Sequence, residues 1–175
     1  MWYRSTGLVH VRARTPPICG QNGRLWLRLL HLPNRSNGEL RQAVSMVEAI
    51  SRVGMKIGVS LNPSTPISDI LPLLRTGLVD TVDVLAVGPG FGGQVFQSAV
   101  VDKIKELRSF REQQQLSFNI MVDGGINDDT ASRVVESGAD VLVAGSFLFR
   151  QGLRNGANLL YASIERELRP QAFES

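Results

Sequence analysis

From residue 39 onward the sequence alternates short apolar runs with stretches of helical period, and that alternation leaves few folds open. In "ELRQAVSMVEAISRV" the residues Leu40, Val44, Val47 and Ile50 share one face, which predicts an amphipathic helix over 39–53 stopped by Gly54. "MKIGVSL" reads as a buried strand closed by the turn "NPSTP". "PISDILPLLRTG" reads as a helix over about 68–76, with Pro72 disturbing its start. "VDVLAV", "FNIMVD" and "DVLVAG" are three further strands. "QSAVVDKIKELRSFREQQ" and "DDTASRVVESG" are the helices between them, and "NGANLLYASIEREL" is a closing helix. Strands this uniformly apolar have both faces covered, so the expected class is α/β: a parallel sheet with covering helices.

The chain can afford such a core. It has 175 residues, 43% of them apolar, and a mean hydropathy near zero, which fits one domain or one domain with a tail. Its single cysteine, Cys19, has no partner for a disulfide or a Cys/His zinc pattern, so a reducing, cytoplasmic setting is expected. No apolar run reaches the ~18 residues a membrane span needs. The net charge of +3 is unevenly distributed. Residues 1–38 hold six arginines and no acid; of 19 basic residues, 13 remain to face all 16 acids, so the rest of the chain is −3. An arginine-rich, acid-free start fits an organelle transit peptide, a nucleic-acid-binding arm or an irregular tail. The arginines lack regular spacing and Trp2, Tyr3 and Trp26 are scattered, so no nucleic-acid partner is expected. Pro16, Pro17, Gly20 and Gly23 interrupt any helix there. The domain division is therefore a basic irregular leader over 1–38 and a folded domain over 39–175.

Three consecutive strands end in small-residue turns: Gly90, Phe91, Gly92 and Gly93; then Asp123, Gly124 and Gly125; then Ala144, Gly145 and Ser146. The first contains G-x-G-x-x-G through Gly88, Gly90 and Gly93, a dinucleotide-loop pattern. Pro89 lies inside it, however, and residues 94–98 separate it from the next helical stretch, where a dinucleotide loop turns straight into its helix. A single cluster would be explained by a tight turn, and an aspartate before Gly-Gly by bracing that turn. Three clusters at equivalent strand ends suit a barrel, whose mouth gathers many carboxyl ends and holds phosphate on bare backbone N–H groups. A short helix starting near Ser146 would add its positive end.

"GMKIGVSLNPSTP", "VLAVGPGFGGQVF", "MVDGGIN" and "SGADVLVAGSFLF", in that order over about 39–150, resemble the second half of the ribulose-phosphate 3-epimerase family. The resemblance implies a phosphate-binding TIM (β/α)8-type barrel, an isomerase of the pentose phosphate pathway, and interconversion of D-ribulose 5-phosphate and D-xylulose 5-phosphate by metal-assisted proton transfer at C3. It implies a divalent metal (Zn2+, Fe2+, Mn2+ or Co2+) held by two histidines and two aspartates. Asp123 matches the second aspartate, both proton-transfer group and metal ligand; Gly90, Phe91, Gly92, Gly93, Asp123, Gly124, Gly125, Gly145 and Ser146 would line the sugar phosphate, with Asn62 and Gln94 orienting loops. The family's first half is not recognisable here. Only His10 and His31 exist, Arg12 stands where "VHVR" would need an aspartate, and no carboxylate precedes Glu39. The expected molecule is thus a partial barrel of about four parallel strands whose open edges invite a second copy. Little or no catalysis is expected of this chain alone, the alternative function being a non-catalytic fragment that binds sugar phosphate or a partner.

Overall fold

The computed structural model describes residues 10–12, 27–31, 37–88 and 95–168, with side chains over 40–88 and 95–166. The turn Gly90–Gly93, with Gln94, and most of the stretch read as a leader lie outside the described residues, as do the side chains of His10 and His31. The described elements are β1 (His10–Arg12), β2 (Leu27–His31), α1 (Asn37–Arg52), β3 (Lys56–Leu61), a 3-10 turn (Ile67–Asp69), α2 (Leu71–Leu74), β4 (Thr81–Leu85), α3 (Val100–Gln113), β5 (Asn119–Asp123), α4 (Asp128–Glu136), β6 (Val141–Val143), α5 (Gly145–Gln151) and α6 (Leu153–Leu168).

The four anticipated strands, β3 to β6, pair in parallel and in chain order. Monotonic order with right-handed crossovers puts successive helices on one face of the sheet and gives no point where the winding reverses. That is the winding of a barrel and not of a doubly wound sheet. The edges that a four-stranded reading leaves open are each occupied: β2 pairs in parallel with β3, and β1 pairs antiparallel with β6. Both added strands come from the stretch read as irregular, and the outer edges of the sheet are β1 and β2.

Side chains alternate across the sheet, and register decides which of them share a face. Val59, Val82 and Ile120 are level, and so are Leu61, Val84, Val122 and Leu142. These residues are fully buried on the helix-covered side, together with Val47 of α1, Ile104 and Leu107 of α3, Val134 of α4 and Leu160 of α6. Each such side chain contributes about 1.5–3 kcal/mol by leaving water. The opposite face carries Gly58 and Ser60, Thr81 and Asp83, Asn119, Met121 and Asp123, then Val141 and Val143. In a barrel this second face is the interior.

The helix expected over about 68–76 is broken in two, the 3-10 turn and then α2. Pro72 falls in the first turn of α2, where its missing N–H is harmless, but it cannot donate to the preceding turn, so one continuous helix is impossible. At the amino end of the sheet one device appears twice. Asp80, just before β4, donates its backbone N–H to the Ile57 carbonyl of β3 at 2.9 Å and accepts the Ile57 N–H on its carboxylate at 2.8 Å. Asp140, just before β6, does the same with Ile120 of β5, also at 2.8 Å. Lys56 pairs with Asp80, and Arg111 of α3 with Asp140. These carboxylates fix strand register from below and leave the carboxyl end free for other work.

Candidate active site

Asp123 is the last residue of β5, level with Leu85 of β4 and Val143 of β6. Gly124 and Gly125 follow it directly, and Gly145 and Ser146 open α5 two residues beyond Val143. The second and third small-residue turns therefore meet on adjacent strands at one rim. β4 ends with Leu85 level with Asp123 at the same rim, and beyond it the described chain stops at Gly88 and resumes at Val95.

The glycines of the β5 turn answer first to packing. Gly124 has φ +103° and Gly125 φ +67°, a region L side chains rarely adopt. A Cβ on Gly124 would fall 2.6 Å from Val87 Cγ2, and one on Gly125 2.8 Å from the backbone of Phe96. The bare faces thus let both ends of the β4–α3 connection press against this turn. Downstream, Asn127 Oδ1 accepts the N–H groups of Asp129 and Thr130 at 2.9 and 3.0 Å, while Thr130 Oγ1 accepts that of Asn127 at 2.9 Å. This reciprocal cap starts α4 and anchors the turn that carries Asp123. Among the described residues, nothing lies within 4 Å of a Cβ added at Gly145. Asn62 helps to fix the loop after β3: its carbonyl and that of Pro63 each accept the Lys103 ammonium at 2.8 Å, tying the loop to α3. Partial burial there lowers the Lys103 pKa.

Behind Asp123 lies a residue that sequence reading left inside a strand. Asp83, in the middle of β4, is level with Ser60 and Met121 on the inward face, one pleat deeper than Asp123. It is only 3% exposed. The Ser60 hydroxyl donates to Asp83 Oδ2 at 3.0 Å, and Oδ1 is buried without a hydrogen-bond partner. Burial pushes the Asp83 carboxyl from 3.8 up to about 7, the charge of Asp123 adding to the rise and the Ser60 hydroxyl opposing it. The signal in the sequence was one acid in an otherwise apolar run, "VDVLAV".

The donors on this wall are hard oxygens, suited in kind to a divalent metal. Among the described residues, however, no group of three or more His, Cys, Asp and Glu side chains comes together. The two-histidine, two-aspartate set implied by the sequence resemblance does not assemble from them. The clefts found among the described residues lie elsewhere. One, of about 300 Å³, is at the amino end of β5 and is lined by Arg111, Ser117, Phe118, Asn119 and Asp140. Arg111 and Asp140 are already engaged with each other there.

Residues 36–149 match the model of the ribulose-phosphate 3 epimerase family. The chloroplastic ribulose-5-phosphate-3-epimerase of Arabidopsis thaliana is 38% identical over 143 residues, 82% of this chain and 48% of that protein. The ribulose-phosphate 3-epimerase of Bacillus subtilis is 41% identical over 112 residues, 63% of this chain and 51% of its own length. That of Treponema pallidum is 40% identical over 113 residues, 63% and 50% respectively. The chain spans about half the length of the curated relatives it matches.

Proposed function

Because the chain belongs to the ribulose-phosphate 3-epimerase family, we propose that it binds D-ribulose 5-phosphate and D-xylulose 5-phosphate at the carboxyl rim of its sheet and exchanges the proton at C3 with Asp123. The observation that carries this reading is the convergence of Asp123, Gly124 and Gly125 with Gly145 and Ser146 on adjacent parallel strands. Backbone N–H groups of the two turns would hold the phosphate. Asp123, half-buried beside them, would act on the carbon next to the ketone. Epimerisation removes the C3 proton from one face, passes through an enediolate and returns a proton to the other face. Asp123 serves one face. Asp83 stands on the same wall as Asp123 and so does not serve the opposite one.

That one-sidedness favours a second reading, in which the chain holds a sugar phosphate and turns it over slowly or not at all. A coupled epimerase assay with added Mn2+, Zn2+, Fe2+ or Co2+, run beside calorimetric titration of D-ribulose 5-phosphate, separates the two. Turnover that Asp123→Asn lowers by about 100-fold or more supports the first. Binding with no turnover supports the second, and the absence of binding removes both.

A further inference from the structure

We propose that Asn62 is a further sugar-contacting side chain at the carboxyl rim, and that Lys103, through its grip on the loop after β3, is the residue that positions it. The inference rests on the functional reading above and deepens it. Asp123 and the small-residue turns approach the sugar phosphate from β5 and β6, and Asn62 approaches its hydroxyls from β3.

Register supplies the first argument. The last pair of β3 with β4 is Leu61 with Val84, so Asn62 comes level with Leu85 and, through it, with Asp123. Gly58 and Ser60 lie on the inward face, and the alternation of β3 brings Asn62 next on that side. Two strand spacings, about 9.6 Å, separate the backbones of Asn62 and Asp123. Half-buried Leu85 lies between them, so a ligand of a few carbons fits across it. A carboxamide both donates and accepts, which suits the neighbouring hydroxyls of a sugar.

The second argument is what holds Asn62 in place. Its carbonyl accepts the Thr65 N–H at 3.1 Å and closes a tight turn with Pro63 in the second position. Such a turn needs no cation. Yet Lys103, in the first turn of α3, sets its ammonium against two of the turn's carbonyls, those of Asn62 and Pro63, at 2.8 Å each. Hydrogen bonds from a charged donor are about twice as strong as neutral ones. The lysine thus ties the loop after β3 to the helix that follows β4, and fixes the gap over Leu85 from outside it.

The test uses D-ribulose 5-phosphate, titrated at pH 7.5 with Mn2+ present throughout. The parent chain is compared with Asn62→Ala, Lys103→Met, Lys103→Arg and the double variant Asn62→Ala/Lys103→Met. Calorimetry reads affinity, and circular dichroism with urea unfolding reads folding. Asn62→Ala is expected to weaken binding about tenfold. Lys103→Met should weaken it by a similar factor, and Lys103→Arg, which keeps the cation, by about threefold or less. The double variant should bind no more weakly than Asn62→Ala, because the lysine acts through the asparagine. Losses that add in the double variant, or a Lys103→Met effect confined to stability, overturn the proposal. Should Lys103→Met fail to fold, the Asn62 side-chain amide signals of the 15N-labelled parent and Lys103→Arg chains decide. Saturable shifts in both support the proposal, and their absence in either refutes it. No binding by the parent sinks the functional reading and this contact with it; binding that Asn62→Ala leaves intact sinks the contact alone.

Discussion

Asp83 has a measurable effect on stability through its own titration. The folded chain holds its proton more tightly than the unfolded chain, with a pKa near 7 against 3.8. Stability on this account is greatest below pH 4, falls as the pH rises from about 4 to about 7, and is level above that. The whole difference amounts to about 4 kcal/mol at pH 8. Asp83→Asn, which keeps the shape and removes the charge, is therefore expected to be more stable than the parent at pH 8 and equal to it near pH 4. Urea unfolding at the two pH values checks this, and an advantage that did not grow with pH would contradict it. Gly125 makes the opposite case. With φ +67° and the backbone of Phe96 at 2.8 Å from an added Cβ, Gly125→Ala is expected to cost roughly 2 kcal/mol or more in the same experiment.

Among the elements, the two aspartate clamps differ in surroundings, so their removal should differ in effect. The Arg111–Asp140 pair is largely buried, with side chains 20% and 12% exposed, whereas Lys56 is more than half exposed above Asp80. Breaking the buried pair leaves the Arg111 charge with the Phe118 carbonyl but no carboxylate, and strands the N–H of Ile120, so Asp140→Ala is expected to cost about 3 kcal/mol. Asp80→Ala should cost clearly less, near 1–2 kcal/mol, because its ion pair is screened by water and mainly the bond from Ile57 N is lost. Equal costs by chemical denaturation would show that the clamps do not act as described. The elements that carry these clamps were legible in the sequence because apolar runs and 3.6-residue periods are strong signals in a sheet covered by helices. Pro72 was seen as a disturbance, and its consequence, a full break into two short turns, depended on which preceding carbonyl it failed to reach.

Over the whole molecule, family and winding were readable from four ordered motifs, and chain-order pairing from β2 to β6 agrees with both. The strands β1 and β2 were not readable. "LRLLH" is too short and too basic to stand out, and three residues such as "HVR" become a strand only by pairing with β6. Asp83 was passed over for a related reason. A lone acid in a buried strand has no local pattern, and its face emerges only from register with Ser60 and Met121. Asp123 was found because its Gly-Gly neighbours mark it. The claim beneath the whole account is that ligand chemistry sits at the carboxyl rim, while the amino end with its Arg111–Asp140 cleft is structural. Titrating the 15N-labelled chain with D-ribulose 5-phosphate, with backbone amide shifts as the readout, tests this most directly. Saturable shifts gathered at Asp123, Gly124, Gly125, Gly145 and Ser146 are the expected result; shifts gathered around Ser117, Asn119 and Asp140, or no saturable shifts at all, would contradict it.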